Sequence, residues 1–348
     1  MSDRWQEFLE DQGVTPGADG YTHSQAENVD AFQKLSGDTI CDLTHTTFVH
    51  AGGADSADFL QNQLTNDVES LDDAHATMAG YCNPKGRLVC LFRIWRDGDG
   101  FVLQLPEDLR ETSIDRLRKY VLRARVEFGI EPEHAAFGVC GKTVAKALER
   151  ITGALPARDN GLVHGGGMAI IRIAGDGRPR YQVTGPVGNC MAAWQKLTRH
   201  ATVVGSWTWA RLDILAGIPN ITAATSELFI PQMVNLDRLD SVNFKKGCYP
   251  GQEIVARMHY LGNLKQRMGR FRADTDTRPM PGDRVHSRDG GAAAGTVVDA
   301  QPGAGTGWDV LAVVRIADFD RQILYLNGEN GVKLFQQELP YGVIGDGG

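Results

Sequence analysis

Cysteine is scarce in this sequence, and no two cysteines are spaced to bind a metal. The six cysteines are Cys41, Cys82, Cys90, Cys140, Cys190 and Cys248. There is no CxxC pair and no cluster of cysteine and histidine of the kind that holds zinc or an iron–sulfur cluster. In a reducing compartment, isolated cysteines are usually buried as small hydrophobic residues. We therefore predict that the chain itself holds no metal, and that the cysteines other than Cys248 are buried.

The sequence also lacks long apolar runs and an excess of positive charge. No run approaches the ~20 apolar residues that span a membrane. The polar, acidic N-terminus has neither the basic start nor the apolar stretch of a secretion signal. Lysine and arginine number 36 against 43 aspartates and glutamates, a formal net charge of −7, whereas binding a nucleic acid through its phosphates requires a basic surface. We expect a cytoplasmic protein that binds neither a membrane nor, directly, a nucleic acid.

A chain of 348 residues is long enough for two or three packed domains. Residues 1–35 are polar with little periodicity, which indicates a loosely ordered N-terminal arm with at most a short helix. Regular patterns follow, and the main body is expected at 36–265, in two subdomains. From residue 266 the sequence changes to short apolar runs broken by Gly, Pro and Asn, which predicts a small β-barrel at 266–348.

Two segments of the body follow the same order of strand, turn, strand, proline and helix. The predicted elements are 87–95, 101–105 and 107–123 in the first segment, and 168–173, 181–184 and 188–199 in the second. The predicted fold class is therefore α+β, with a duplicated body of antiparallel sheets followed by the C-terminal β-barrel.

Residues 244–257, FKKGCYPGQEIVAR, concentrate unusual chemistry in one short stretch. Lys245 and Lys246 place positive charge beside Cys248, and Pro250 suits the first turn of a helix that the following residues continue. Positive charge and a helix N-terminus both favour the thiolate form of a cysteine. The residues alone leave two interpretations open: a reactive Cys248, or a tight turn that holds a buried cysteine before a capped helix.

Within this stretch, Lys246–Glu253 (KGCYPGQE) resembles the KGCYxGQE signature of the YgfZ family, to which mitochondrial cluster-assembly factors of the same type also belong. Further stretches agree across most of the chain: GADS at 53–56, QLTNDV at 63–68, KGR at 85–87, AGIP at 216–219, FIPQ at 229–232 and NL at 235–236. The resemblance implies the fold of the glycine-cleavage T-protein, an α+β body around a central channel plus a C-terminal β-barrel. This fold agrees with the pattern of predicted strands and helices.

The resemblance also implies a ligand in the channel, tetrahydrofolate or a one-carbon derivative of it. It assigns an aromatic contact to Trp209, whose ring would stack on a ring of the ligand. Without the resemblance, Trp209 would be interpreted as a core aromatic residue in a strand. Cys248 is the candidate catalytic residue. The other candidate ligand contacts are Thr46, Asn66, Lys246, Gly247, Tyr249, Gly251, Gln252 and Glu253.

Three positions depart from the patterns of related proteins. Thr46 stands where some family members have a second folate-contacting tryptophan. The strand at Arg87–Phe92 lacks the aspartate that acts on the folate nitrogen in T-proteins, and Met233 stands where an acidic residue is expected. Because proton transfer to a folate nitrogen requires a positioned acid or base, these departures argue against glycine-cleavage chemistry.

The leading hypothesis is a folate-binding accessory protein that supports assembly or repair of iron–sulfur clusters in client enzymes, including radical enzymes that thiolate tRNA, with Cys248 as its working residue. The alternative is a tetrahydrofolate-dependent enzyme of the aminomethyltransferase type, which needs a carboxylate, for instance Asp67 or Glu253, near the folate nitrogen. Direct tRNA binding has in its favour the basic run at 265–272, but such a run is usually a solvated face. Since the sequence shows no heptads or extended apolar stripe, we expect a monomer.

Overall fold

A computed structural model describes residues 2–25, 37–130, 133–175, 177–262, 264–287, 293–319, 324–328 and 331–343 of the chain. These residues form two large sheets, a two-stranded sheet and a closed barrel, with helices packed around them. In this part of the chain, no helix has the length and apolar character that crossing a membrane requires.

The described elements are mostly strands. Numbered along the chain, the strands are β1 (Val14–Pro16), β2 (Thr22–Ser24), β3 (Thr39–Asp42), β4 (Thr46–Gly52), β5 (Ala76–Cys82), β6 (Leu88–Asp97), β7 (Gly100–Pro106), β8 (Glu127–Ile130), β9 (His134–Cys140), β10 (Leu162–Gly165), β11 (Met168–Arg172), β12 (Arg180–Pro186), β13 (Thr202–Val203), β14 (Gln266–Ala273), β15 (Arg284–Ser287), β16 (Gly295–Pro302), β17 (Trp308–Arg315), β18 (Leu324–Leu326) and β19 (Lys333–Gln337). The helices are α1 (Asp3–Asp11), α2 (Ser56–Gln61), α3 (Arg110–Arg118), α4 (Lys142–Thr152), α5 (Val187–Leu197), α6 (Ser206–Leu215), α7 (Gln252–Tyr260) and α8 (Ile316–Phe319), with 3-10 turns at Glu107–Leu109 and Pro231–Val234.

The body contains two sheets, each built around a long antiparallel hairpin. The first sheet has the strand order β5-β6-β7-β4-β8. The second has the order β10-β11-β12-β9-β3-β13, and its short β3–β13 pair is parallel. The β6–β7 hairpin leads into α3 and the β11–β12 hairpin leads into α5, so the duplicated α+β body is confirmed. The barrel closes in the order β14-β17-β16-β15-β18-β19, which confirms the C-terminal β-barrel.

The helix predicted near 107–123 is shorter than expected. Its first turn is of the 3-10 type and its α-helical part ends at Arg118. Beyond the helix, the Asp55 carboxylate accepts a hydrogen bond from the backbone N–H of Arg125 at 2.7 Å and pairs with the Arg125 guanidinium at 2.9 Å. These contacts draw the chain after the helix towards β8.

The N-terminal arm predicted at 1–35 contains the expected short helix, α1, but its described residues 2–25 pack against the body and are not loosely held. Helix α1 is amphipathic, and Trp5, Phe8 and Leu9 form its buried face at spacing i, i+3 and i+4. The Trp5 ring meets Trp194 of α5 edge-on, with 5.7 Å between the ring centroids. Strands β1 and β2 then pair as an antiparallel hairpin. The rest of the predicted arm lies outside the described residues.

Helix α6 connects the body to the barrel and is enclosed on most sides. Trp207, Trp209, Leu212 and Ile214 are all buried, and the helix packs against β3 of the second sheet and against β16 and β17 of the barrel. A helix that is apolar on most of its faces is stable when it is enclosed in this way. Asp213 of this helix is therefore held where the sheets and the barrel meet.

Candidate functional site

A cavity opens at the junction of the two sheets, α6 and the barrel. Its walls come from β6 and β7 of the first sheet, β12 of the second sheet, α6 with the loop that follows it, and β16. The space between its lining atoms, counted together with the open mouth, is about 650 Å³. Its polar and aromatic lining residues include Thr46, Arg93, Gln104, Arg180, Gln182, Trp209, Asp213 and Asp299.

Arg180 on β12 is a charged residue in the cavity wall with 0% of its surface exposed. Its guanidinium carbon lies 4.0 Å from the centroid of the Trp209 ring, and its Nη2 forms an ion pair with Asp213. Its Nε and Nη1 are buried and have no hydrogen-bond partner among the described residues. Because a buried N–H without an acceptor costs free energy, these donors favour the binding of an oxygen-bearing ligand or of water.

A second arginine and a pair of amides complete the polar wall. Arg93 Nη1 donates a hydrogen bond to Asn160 Oδ1 at 2.8 Å, and burial lowers the pKa of Arg93 to about 10 because it disfavours the charged form. Gln182 Nε2 donates to Gln104 Oε1 at 2.8 Å and so links the two sheets. The wall thus combines two guanidinium groups with oriented amides, a setting that suits a ligand rich in acceptors.

The cavity is also lined by two carboxylates, Asp213 on α6 and Asp299 on β16. Asp299 is 3% exposed, and its Oδ1 accepts hydrogen bonds from the Ala300 N–H at 2.7 Å and from Gln301 Nε2 at 3.2 Å. Burial raises the pKa of Asp299 to about 6. A carboxyl group with such a pKa can hold or release a proton near neutral pH.

Carboxylates therefore reach the cavity from elements other than the strand at Arg87–Phe92. The first strand of the β6–β7 hairpin has no carboxylate at the predicted place, but Asp213 and Asp299 line the same cavity from other elements. The candidates considered from the sequence, Asp67 and Glu253, are not among the described lining residues. Asp213 follows Trp209 by one helical turn, so a helical interpretation of this segment would have placed both on one face.

The N-terminal segment packs against one side of the cavity. The Tyr21 ring lies 5.2 Å from the ring of His45, a lining residue, and the Thr22 N–H donates to Ser206 Oγ at the start of α6 at 2.8 Å. Burial lowers the pKa of His45 to about 4, so its imidazole is neutral at physiological pH. Part of the segment predicted to be a loose arm thus supports the cavity.

Two of the predicted ligand contacts, Trp209 and Thr46, line the cavity. Trp209 lies on helix α6 and not on a strand, and its ring packs so closely on Gly138 of β9 that a Cβ there would collide with it. Because the Arg180 guanidinium covers part of the ring, a ligand that stacks on Trp209 must use the remaining ring surface or displace the arginine. Thr46 Oγ1 accepts a hydrogen bond from Gln104 Nε2 at 3.2 Å.

The signature residues 246–253 lie at the far end of the β5–β6 hairpin, and none of them is among the described residues that line the cavity. Gly251, at the N-cap of α7, has a left-handed φ of 78°. A Cβ on Gly251 would lie 2.5 Å from the carbonyl oxygen of Asn83, in the turn between β5 and β6. At the usual rise of a strand, this turn is about 16 Å from Met78, where β5 borders the cavity.

Lys246 is held by backbone carbonyls at the end of another helix. Its Nζ donates hydrogen bonds to the carbonyl oxygens of Gln61 and Leu64, the second at 2.6 Å. A positive charge is favoured there because it complements the C-terminal end of the α2 dipole. Burial lowers the pKa of Lys246 to about 8. Tyr249 is buried beside it, 5.2 Å from Nζ to the ring centroid, and Gln252 Nε2 donates to the Lys246 carbonyl at 3.4 Å.

Cys248 is exposed, whereas the other five cysteines are buried, as predicted. Helix α7 begins at Gln252, so Cys248 lies just ahead of a helix N-terminus. Its neighbours Lys245 and Gly247 are exposed, as is Glu253 in the first turn. The interpretation of Cys248 as a buried residue of a turn is therefore wrong, and its thiol is accessible to a partner.

Asn66 and the basic run at 265–272 both make contacts that stabilise the fold. Asn66 Nδ2 donates to the Asp240 carbonyl at 2.7 Å and ties two loops together. Arg267 is buried and pairs with Asp237 at 2.7 Å. The run therefore belongs in large part to barrel strand β14, and it is not the continuous solvated face that the sequence favoured.

Relatives of the chain identify its family. No protein-family model matches the sequence. The chain is 31% identical to tRNA-modifying protein YgfZ of Shigella sonnei (strain Ss046) over 305 residues, which cover 87% of this chain and 93% of that protein. It has the same identity and coverage with tRNA-modifying protein YgfZ of Escherichia coli O157:H7 (strain EC4115 / EHEC): 31% over 305 residues, 87% and 93%.

A solved structure shows the fold. Glycine cleavage system aminomethyltransferase T from Bartonella henselae aligns with a TM-score of 0.78 and covers 96% of each chain at 15% sequence identity. The duplicated body, the cavity at its centre and the C-terminal barrel therefore form the T-protein fold that the resemblance implied. With 31% identity over 93% of a named relative, the chain belongs to the YgfZ family.

Proposed function

We propose that this protein binds tetrahydrofolate or a one-carbon derivative in the central cavity and supports iron–sulfur enzymes, including enzymes that modify tRNA, through Cys248. The ligand proposal rests on Arg180 in the cavity wall, because its two buried donors, Nε and Nη1, have no acceptor among the described residues. The ring system of a folate supplies carbonyl and ring-nitrogen acceptors, and its N–H groups match the carboxylate of Asp299. The aromatic wall at Trp209 suits its flat rings.

The accessory role is supported by the separation of the cavity from Cys248. The cavity and the signature lie at opposite ends of the β5–β6 hairpin. An enzyme that joins its cofactor to a cysteine nucleophile needs both within one pocket. An exposed thiol at a distance from the ligand instead suits contact with a client protein, and thiolates are the usual ligands of iron–sulfur clusters. The tRNA-modifying names of the relatives point to clients that act on tRNA.

Titration with tetrahydrofolate, followed by quenching of tryptophan fluorescence, tests the ligand proposal. We expect micromolar binding that weakens about tenfold in Arg180→Lys, because a lysine cannot place two planar donors. Arg172→Lys is the matched control on the neighbouring strand β11, where Arg172 pairs with Asp159 away from the cavity lining. If tetrahydrofolate caused no quenching in the wild-type protein, the ligand proposal would be wrong.

The amount of thiolated tRNA in cells tests the proposal that the protein supports client enzymes. In cells that lack their own copy of this protein, the wild-type chain should restore tRNA thiolation, whereas Cys248→Ser should not. The same variant, when purified, should keep the wild-type affinity for tetrahydrofolate, because Cys248 is not among the described residues that line the cavity. Full thiolation with Cys248→Ser would contradict the proposed role of this residue.

The second candidate function is a transferase of the aminomethyltransferase type, and the two carboxylates in the cavity favour it. Such an enzyme would transfer the methylene of an aminomethylated thiol to tetrahydrofolate, releasing ammonia, the free thiol and 5,10-methylenetetrahydrofolate. Asp299 could exchange the proton that this transfer requires. Ammonia release from an aminomethylated thiol, compared between wild type and Asp299→Asn, tests this candidate, and a wild-type rate no higher than that without protein would exclude it for that donor.

A further inference from the structure

We infer that Asp299 and Arg180 together recognise a ring edge in which an N–H group lies next to a carbonyl, as in the pyrimidinone ring of a folate. Asp299 accepts the hydrogen bond of the ring N–H, and Arg180 donates to the ring carbonyl. This inference rests on the proposed function, because it names the part of the ligand that the cavity selects. It also gives the C-terminal barrel a direct contact with the ligand.

Arg180 is held in one orientation by two contacts. The Trp209 ring lies against its guanidinium, with 4.0 Å from the carbon to the ring centroid, and Asp213 pairs with Nη2. Because a guanidinium is planar, fixing its plane and one nitrogen fixes the directions of the other N–H groups. Nε and Nη1 are the groups left without an acceptor among the described residues. A carbonyl oxygen of the ligand would accept a hydrogen bond from one of these two groups.

Strand β16 presents Asp299 to the cavity through a β-bulge. Its pairing with β17 shifts register between Val297 and Asp299. Val297 and Ala300 pack in the barrel interior. Val298 instead packs with the body, and Asp299 lines the cavity, so these two consecutive residues both face away from the barrel interior. Regular alternation from Val297 would have turned Asp299 into the apolar barrel. Bulges next to sites re-aim side chains in this way.

Asp299 also has an oxygen that a ligand can use. Its Oδ1 accepts both hydrogen bonds from β16, and its Oδ2 has no hydrogen-bond partner in the described part of the chain. The charged and titratable groups that act on it from other elements are Asp213 of α6, Arg278 of the barrel and Tyr21 of the N-terminal hairpin. Asp213 is already paired with Arg180, so Asp299 is the carboxylate that remains for the ligand.

This recognition couples ligand binding to the release of a proton from Asp299. A ring N–H stabilises the ionised form of Asp299, so binding lowers the pKa of this carboxyl from about 6 in the free protein. Below that pH, the free protein must release a proton before the ligand binds. The affinity therefore decreases as the pH falls through 6, and it is constant where Asp299 is already ionised.

Calorimetric titration with 5-formyltetrahydrofolate tests the inference, because the formyl group turns N5 into an amide nitrogen that does not titrate near neutral pH. We expect the wild-type affinity to fall about tenfold from about pH 7.5 to about pH 5. Asp299→Asn should bind about tenfold more weakly at about pH 7.5 and lose this pH dependence. Asp309→Asn is the matched control: Asp309 is another buried barrel carboxylate, paired with Arg211 at 2.8 Å, and this variant should keep the wild-type pH dependence.

The outcomes separate the inference from the proposed function. If Asp299→Asn bound with wild-type affinity and pH dependence, the inference would be overturned while folate binding stood. If the wild-type protein bound no folate at any pH, the proposed function would fall and the inference with it. Should Asp299→Asn not fold, proton release by the wild-type protein, measured in buffers of different ionisation enthalpy, decides the question: about one proton per ligand near pH 5 supports the inference, and none overturns it.

Discussion

Replacing Gly251 with alanine should disrupt the joint that positions Cys248. Gly251 has a φ of 78°, a conformation in which an alanine costs about 1–2 kcal/mol. The added Cβ would also lie 2.5 Å from the Asn83 carbonyl oxygen and 2.6 Å from Gly86 Cα, so α7 must move away from the β5–β6 turn. With the packing lost at this joint, we expect the free energy of unfolding to fall by about 3 kcal/mol in total.

Gly247→Ala is the matched control within the same signature, because a Cβ at Gly247 would meet no described atom within 4 Å. We expect it to change the free energy of unfolding by less than about 0.5 kcal/mol. Guanidinium unfolding followed by tryptophan fluorescence compares the two variants, and the rate of thiol labelling reports the surroundings of Cys248. A Gly251→Ala protein within about 0.5 kcal/mol of the wild type would refute the close contact between α7 and the turn.

Three further changes test other parts of the molecule. Lys246→Ala leaves two carbonyls of the α2 end without their donor and should destabilise the protein by about 1.5–3 kcal/mol, whereas Lys245→Ala should be nearly neutral in the same unfolding assay. Asp299→Asn should raise the melting temperature of the ligand-free protein at neutral pH. The pKa of Asp299 in the folded protein, about 6, lies above the ordinary 3.8, so the stability of the wild type falls as the pH rises between these values. Equal melting temperatures of variant and wild type at neutral pH would contradict this prediction. Trp5→Ala empties a buried site beside Trp194 and should cost about 3–5 kcal/mol by denaturant unfolding; an unchanged midpoint would show that α1 is dispensable.

The elements that local rules determine could be predicted from the sequence. Alternating apolar residues and a glycine turn specify the β11–β12 hairpin, and the same rules specify β6–β7. The helix after Pro250 follows from its local signals, and so does the position of Cys248 ahead of it. Burial of the remaining cysteines also follows, because an isolated cysteine behaves as a small hydrophobic residue.

The carboxylates of the cavity could not be predicted in the same way. Asp299 faces the cavity because of a bulge at Val298, and that bulge depends on the pairing of β16 with β17. Asp213 could have been predicted, because it follows Trp209 by one helical turn and so shares its face once this segment is recognised as a helix. The packing partner of α1, Trp194, is distant along the chain, so the sequence of the N-terminal segment alone could not show that this helix is docked.

The joint around Cys248 also has a consequence for the order of folding. Lys246 reaches the Leu64 carbonyl across 182 positions of the chain, and Gly251 rests on the distant turn at Asn83. Contacts of such large sequence separation form after local hairpins, because the loop must close before they gain any energy. A chain that has formed only its hairpins therefore carries the cysteine without its surroundings. The thiol reaches the surroundings seen in the folded protein only once three remote segments have met, so those surroundings are a marker of a completely folded body.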